Sequence, residues 1–324
     1  MSLQKPPSSE TPSRTAARLI VLLVLAAIAG FVIYATVTIQ RADLTEDTRI
    51  EALELDDTVT VDGLRLNIVE DEGGPDPVVI LHDFDVTGGL TLDDVSSALG
   101  EDHHGVRLDL QGFGYSVRIT DPGPEHTIAV MAQNVAAVIE DRYGRAVPII
   151  GVGLGGEVAA ELAHTYSDVV TGVVVVDVDF ESDPTLEESL QGLPWMGKAA
   201  TFTWETGGRY ALDNWSPHCE IGGWCPNNAE LAERATIVTL EGTTDSLWSF
   251  RRTPSAALAP ANLSEIDVPA AYVWSTSGDV DQETVDAIAG EWAGLQVFES
   301  ATFAAHLEDA ATVASALSSL AGGG

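Results

Sequence analysis

Lysine and cysteine are nearly absent from this 324-residue chain, at two residues each, and positive charge is scarce throughout: 15 basic residues face 50 acidic ones, for a formal charge of −35. The shortage of cations excludes nucleic acid as a partner, because a polyanion is repelled and no basic stripe exists to neutralise phosphates. No internal repeat is visible, which excludes a repeat array. The two cysteines, Cys219 and Cys225, have five residues between them. In an oxidising compartment they are expected to close a small disulfide loop worth about 2 kcal/mol. A metal site joining both thiols to His218 is the alternative, but it offers too few ligands. No cofactor or metal is expected.

Charge is missing altogether from Leu19 to Ile39, a run of 21 residues. At 1.5 Å per residue such a helix spans the roughly 30 Å hydrocarbon core of a bilayer. A cleaved signal peptide is the rival reading, but its apolar stretch runs to only about 7–15 residues. Lys5, Arg14 and Arg18 precede the run, while Arg41, Asp43, Glu46 and Asp47 follow it. The positive-inside bias therefore predicts a cytoplasmic N-terminus and a C-terminal domain outside the cell membrane. The run holds one glycine, Gly30, and so no G-x-x-x-G dimer face. Residues 1–18 read as a disordered tail, 19–39 as the transmembrane helix and 40–48 as a polar linker.

From 49 to 324 the pattern is that of one domain. Thr58–Val61 and Leu64–Val69 flank Asp62-Gly63, a hairpin signal. Short β-branched runs then recur at 78–81, 106–110, 147–150, 173–176, 270–274 and 295–298, as expected for strands covered on both faces. Helical spacing falls between them at 126–143, 154–166, 281–292 and 307–320. The alternation predicts an α/β fold with a mostly parallel sheet. It breaks at about 181–262, where five of the seven tryptophans and the cysteine pair cluster. That interval is expected to form an inserted helical lid.

Six landmarks stand in a recognisable order: Leu81-His82-Asp83-Phe84, Asp109-Leu110-Gln111-Gly112-Phe113-Gly114-Tyr115-Ser116, Gly151-Val152-Gly153-Leu154-Gly155, Val174–Asp177, Val268–Trp274 and His306-Leu307-Glu308-Asp309. Together they resemble the α/β-hydrolase superfamily, most closely its lidded esterase and haloperoxidase-like branch, over residues 55–320. The resemblance implies a nucleophile at the centre of the elbow G-x-S-x-G, a catalytic histidine before the last helix, an acid after the penultimate strand, and an oxyanion hole at the first loop. Each position is degenerate here. The elbow residue is Gly153, which has no attacking oxygen. Aligning the H-L-E-D run places Phe303 where the base belongs, with His306 the fallback. Asp279 falls near the acid. Asp83 replaces the usual glycine of the oxyanion loop, where His82 is expected to hold the backbone, and Phe84 and Leu154 are expected to line the pocket. Ser116 matches a structural serine, and His103, His104, His126, His164 and His218 stand singly in expected loops or helices.

These residues predict a membrane-anchored, non-catalytic protein that binds a small apolar ligand or a protein partner at its tryptophan-rich lid. The alternative is an active hydrolase of lipid or cell-envelope esters with a displaced nucleophile and His306 as base. A third reading takes Gly151, Gly153 and Gly156 as the G-x-G-x-x-G of a dinucleotide site, with Asp177 on the ribose. Several strands precede that motif, whereas the fingerprint normally opens its unit.

Overall fold

The computed structural model describes residues 14–180, 184–215, 219, 223–253 and 260–321. Helix α1 (Arg14–Thr45) carries the apolar run as one unbroken element. It is long and apolar enough to cross a bilayer, and Leu19, Leu22, Leu25 and Ile33 project from it exposed. The helix also differs from the expected segmentation. It begins inside the expected tail and continues through 40–45, within the expected polar linker of 40–48. The reason is packing: Ala35, Thr38 and Ala42 are buried, and small side chains let the helix lie close against the lid. Beyond it, Thr48 pairs with the lid, donating to Thr239 O at 3.0 Å and accepting from Glu241 N at 2.8 Å.

The hairpin forms as the sequence predicts. Strands β1 (Thr58–Val61) and β2 (Leu64–Glu70) pair antiparallel. Asp62 (φ 49°) and Gly63 (φ 84°) supply the two left-handed residues that match the right-handed twist of the strands. Strands β3 (Asp76–Leu81), β4 (His103–Leu108), β5 (Val147–Val152), β6 (Val170–Val176), β7 (Ala270–Ser275) and β8 (Gln296–Ser300) complete an eight-stranded sheet of order β1-β2-β4-β3-β5-β6-β7-β8. The sheet is parallel from β4 onward. His103 and His104 open β4 rather than standing in a loop. His104 is held there by Gly74 O at 2.6 Å and Glu70 at 3.0 Å.

Alternate residues of the central strands feed two cores. Val79, Leu81, Ile149, Val173, Val175 and Tyr272 share one face, and Val78, Ile80, Ile150, Val174, Val176 and Val273 the other. This double burial is why the strands read as continuous apolar runs. Short α2 (Asp93–Ser97), unforeseen in the sequence, covers the second face. Helices α3 (Ile128–Tyr143) and α4 (Leu154–Thr165) cover the first. The Thr127 hydroxyl caps α3, and Gly144 at φ 59° closes it.

Between β6 and β7 lie α5 (Leu186–Gln191), α6 (Met196–Thr201), a π-helical turn (Phe202–Thr206), α7 (Gly208–Trp215), α8 (Asn228–Ile237) and α9 (Thr243–Arg252). No strand occurs there among the described residues. The Cys219–Cys225 disulfide is formed in this insertion. His218 lies outside the described residues. Helices α10 (Gln282–Glu291), α11 (Ala305–Glu308) and α12 (Ala310–Ala321) finish the chain.

Candidate functional site

The site sits where β5 hands over to α4. Gly153 makes this turn at φ 47°, ψ −115°, a backbone that strains any residue with a Cβ by about 1–3 kcal/mol. Gly155 is needed for contact rather than conformation, since a Cβ there would run into the backbone oxygens of Leu81 and His82. The glycine-rich run thus lets α4 approach β3.

The oxyanion loop decides the chemistry. Asp83 turns its carboxylate back over the elbow, where Oδ1 accepts from Phe84 N at 2.7 Å and from Leu154 N at 2.9 Å. One donor follows the elbow residue and the other belongs to the β3 loop, so these are the two N–H groups that form an oxyanion hole in this architecture. A carboxylate of the chain itself occupies it. A Cβ on residue 153 would fall on that same carboxylate. Asp83 therefore takes up both donors and the space of a residue 153 side chain, and Gly153 is what makes room for it.

His82 does what the sequence predicts. It is buried, its Nε2 accepts from Leu110 N at 3.0 Å, and its Nδ1 donates to Asp83 O at 2.5 Å. The ring thereby pins the loop that aims Asp83. Phe84 packs against Phe113 and Phe250 at ring distances of 5.3 and 5.2 Å, with the Arg251 guanidinium 3.7 Å over its face. Leu154 is buried in the core.

Of the two positions considered for a base, 303 and 306, only His306 carries an imidazole. His306 is the second residue of α11, its Nδ1 is buried without a hydrogen-bond partner among the described residues, and burial lowers its pKa against the opposing charges of Asp83, Asp85 and Glu308. Phe303 is half-buried, and its N–H donates to Glu308 at 3.1 Å. Asp279 is exposed. Asp177 (φ 51°) accepts from Ser275 N at 2.7 Å and Ser275 Oγ at 2.6 Å, and that hydroxyl accepts in turn from Ala305 N at 2.7 Å. Asp177 thus fastens the start of α11 to the sheet and is not free for a ribose. Ser116 is structural as expected: buried, it donates to Asp109 O at 2.5 Å and accepts from Asn67 N at 2.9 Å.

Above Asp83 lies a cavity of about 330 Å³ between the oxyanion loop and the lid. Four carboxylates (Asp83, Asp85, Glu188, Glu205) and two arginines (Arg234, Arg251) line it beside Trp204 and Trp215. Asp85 accepts from Trp215 Nε1 at 2.6 Å and lies 3.8 Å from Arg234. Burial, reinforced by Asp83, Asp179 and Glu188, pushes Glu157 up to about 7. Burial also raises Glu205. Sequence reading passed over Asp85, Glu157, Glu205 and both arginines. Only Glu157 carried a signal, standing one helical turn beyond Gly153 on the helix that opens there. The cavity is polar, so the apolar ligand expected from sequence has no apolar chamber at this point.

No protein-family model matches the chain, and no curated protein matches it in sequence. Solved structures do match in shape. A hydrolase from Pseudomonas aeruginosa PA01 superposes with a TM-score of 0.61 at 20% identity, covering 82% of this chain and 98% of its own. An enol-lactonase from Burkholderia xenovorans LB400 gives 0.62 at 16%, covering 82% and 100%. A membrane phospholipase A gives 0.61 at 17%, covering 96% and 99%. The chain has the α/β-hydrolase fold. Within this fold the elbow carries Gly153, which has no side-chain oxygen, and Asp83 accepts from the N–H groups of Phe84 and Leu154. The α/β-hydrolase fold also accounts for the G-x-G-x-x-G run. It lies at the fifth strand, and the helix N-terminus that would hold a pyrophosphate already holds Asp83.

Proposed function

We propose that this chain is a membrane-anchored, externally facing α/β-hydrolase-fold protein that performs no serine acyl transfer and works by binding. One observation carries the reading: a single oxygen of Asp83 accepts from both N–H donors of the oxyanion hole while its carboxylate covers the place of a residue 153 side chain. Acyl transfer needs those donors free for the developing charge. The test is a fluorophosphonate probe on the intact protein in detergent, beside a heat-denatured control and short acyl esters. No labelling and no turnover are expected; covalent labelling of any serine under the lid overturns the reading.

A second reading, the displaced nucleophile, is favoured by Asp83 itself. Its Oδ2 makes no hydrogen bond among the described residues, and His306 stands within electrostatic reach. A carboxylate can act as nucleophile. Oδ2 would attack a saturated carbon and expel its leaving group with the bonding pair, forming an ester on Asp83. His306 would then take a proton from a water that adds to Asp83 Cγ. Collapse would release the alcohol, protonated by His306, and the Asp83 carboxyl group left behind would lose the water's second proton to solvent, restoring the carboxylate. Mass analysis of the intact protein after incubation with epoxides and bromoalkanes separates the readings. A mass increase on Asp83, lost in Asp83→Asn, supports catalysis; unmodified protein supports binding alone.

A further inference from the structure

Helix α1 and the lid are joined by more than apolar packing. Glu46 accepts from Gly242 N at 3.0 Å and Thr244 N at 2.9 Å. Lys198 bridges Asp43 at 2.8 Å and Asp245 at 2.9 Å, and Tyr34 OH meets Thr203 Oγ1 at 3.2 Å. Because α1 has no break between Arg14 and Thr45, these bonds fix the lid against a defined stretch of the apolar run.

That stretch lies inside the span. Counting back from Ile39 at 1.5 Å per residue, Ala35, Tyr34 and Phe31 stand about 6, 8 and 12 Å beneath its outer end, within the outer half of a hydrocarbon core about 30 Å thick. Where those three side chains face the lid there is a groove of about 220 Å³, almost wholly apolar, whose other wall includes Leu190, Leu193 and Met196. The lid corner around it exposes Leu186 (78%), Leu190 and Leu193 (37% each) and Trp195 (45%). Outside α1 the described residues expose only two other large apolar side chains, Val69 and Val297. Both belong to sheet strands, so the domain's apolar exposure is concentrated beside the helix. Water is a poor occupant of an apolar cleft at that depth, whereas lipid chains already fill the space around it.

We propose that this groove holds an acyl chain of a bilayer lipid, with the α5–α6 corner of the lid seated in the outer leaflet and Trp195 at the interface. The inference rests on reading α1 as a membrane span, and it moves the apolar ligand from beneath the lid to the junction of lid and helix. Trp204 borders both this groove and the polar cavity over Asp83, so a seated chain lies one side chain away from the degenerate site.

The test uses the full chain in phosphatidylcholine vesicles carrying a trace of phosphatidylcholine with a diazirine at the end of one acyl chain. After irradiation, adducts are mapped by mass spectrometry. Adducts on exposed α1 residues such as Val24 and Ile28, together with adducts on Met196 or Leu190, are the expected result. Lid adducts should fall about tenfold or more in Leu193→Asp, as expected for a carboxylate drawn into hydrocarbon. They should also be lost in Ala200→Phe, which fills the groove; both variants are checked for native circular dichroism. Adducts on α1 alone overturn the proposal while leaving the span intact. Adducts on neither overturn the span and the proposal with it. Protein–protein crosslinks at the groove in place of lipid assign it to a second copy and also overturn the proposal.

Discussion

Gly153→Ser is the substitution that would normally be tried to revive a hydrolase of this shape, and here it should fail for a calculable reason. The new Cβ lands on the Asp83 carboxylate, so Asp83 must leave the two N–H groups it now occupies. Backbone strain at φ 47°, ψ −115° costs a serine about 1–3 kcal/mol. Two hydrogen bonds to a charged group reach roughly 1.5–3 kcal/mol each when buried. Asp83 is exposed, so water replaces most of that, and about 1 kcal/mol for the pair is the screened value. The sum, about 2–4 kcal/mol, corresponds to a thermal midpoint lowered by about 3–7 °C for a domain of this size. In Asp83→Gly/Gly153→Ser the serine pays only the strain, so a double-mutant cycle should return a coupling of about 1 kcal/mol. The assay is thermal unfolding of the four proteins in detergent, with fluorophosphonate labelling in parallel. Gly153→Ser alone should be destabilised and unlabelled, and the double variant labelled through His306. Strict additivity together with labelling of the single variant would refute the interlock of Asp83 and Gly153.

Glu157 is raised to about 7 against an ordinary value near 4.5, so the stability it contributes is complete below pH 4.5 and lost as pH rises through 7. Glu157→Gln should match the parent at pH 4.5 and exceed it at pH 8 by up to about 3 kcal/mol; identical urea midpoints at both pH values would contradict this. Cys219→Ser should cost about 2 kcal/mol or less through the freed loop, and dithiothreitol should lower the parent's midpoint by the same amount while leaving the variant unmoved. Lys198→Met cuts the bridge from Asp43 to Asp245 and should speed tryptic cleavage after Arg41 and Arg49, with sheet stability changed by no more than about 1 kcal/mol; unchanged cleavage would mean that the joint does not depend on Lys198.

The parallel sheet was legible because burial on both faces writes itself as uninterrupted Val and Ile runs, and the Asp62-Gly63 turn because few residues accept two positive φ angles in succession. The register of His103-His104 was not legible, since β4 starts on polar residues held by Gly74 and Glu70, contacts remote in sequence. That the elbow position is glycine could be read directly. The carboxylate that fills the space beside it could not, because Asp83 meets Gly153 only when β3 and β5 lie side by side. The position of α11 was not legible for a similar reason: a motif fixes residue order, but it is the Asp177–Ser275–Ala305 chain of hydrogen bonds that sets where α11, and His306 with it, begins. The helical course of the polar linker at 40–45 was not legible, because Asp43 and Glu46 make their contacts with a lid remote in sequence.

The rival readings of the glycine run meet at one physical fact. The first N–H of α4 carries partial positive charge and attracts an anion, whether a developing oxyanion, a pyrophosphate or a carboxylate. In this chain the anion is tethered. An intramolecular carboxylate competes at an effective concentration no dilute ligand reaches, so every external anion, substrate-derived or not, must first displace Asp83. Glycine at 153 and aspartate at 83 therefore form a single device. Serine cannot enter while the carboxylate is there, and removing the carboxylate alone exposes donors beside an elbow that has nothing to attack with. On the proposed reading, serine chemistry at this elbow requires both positions to change together.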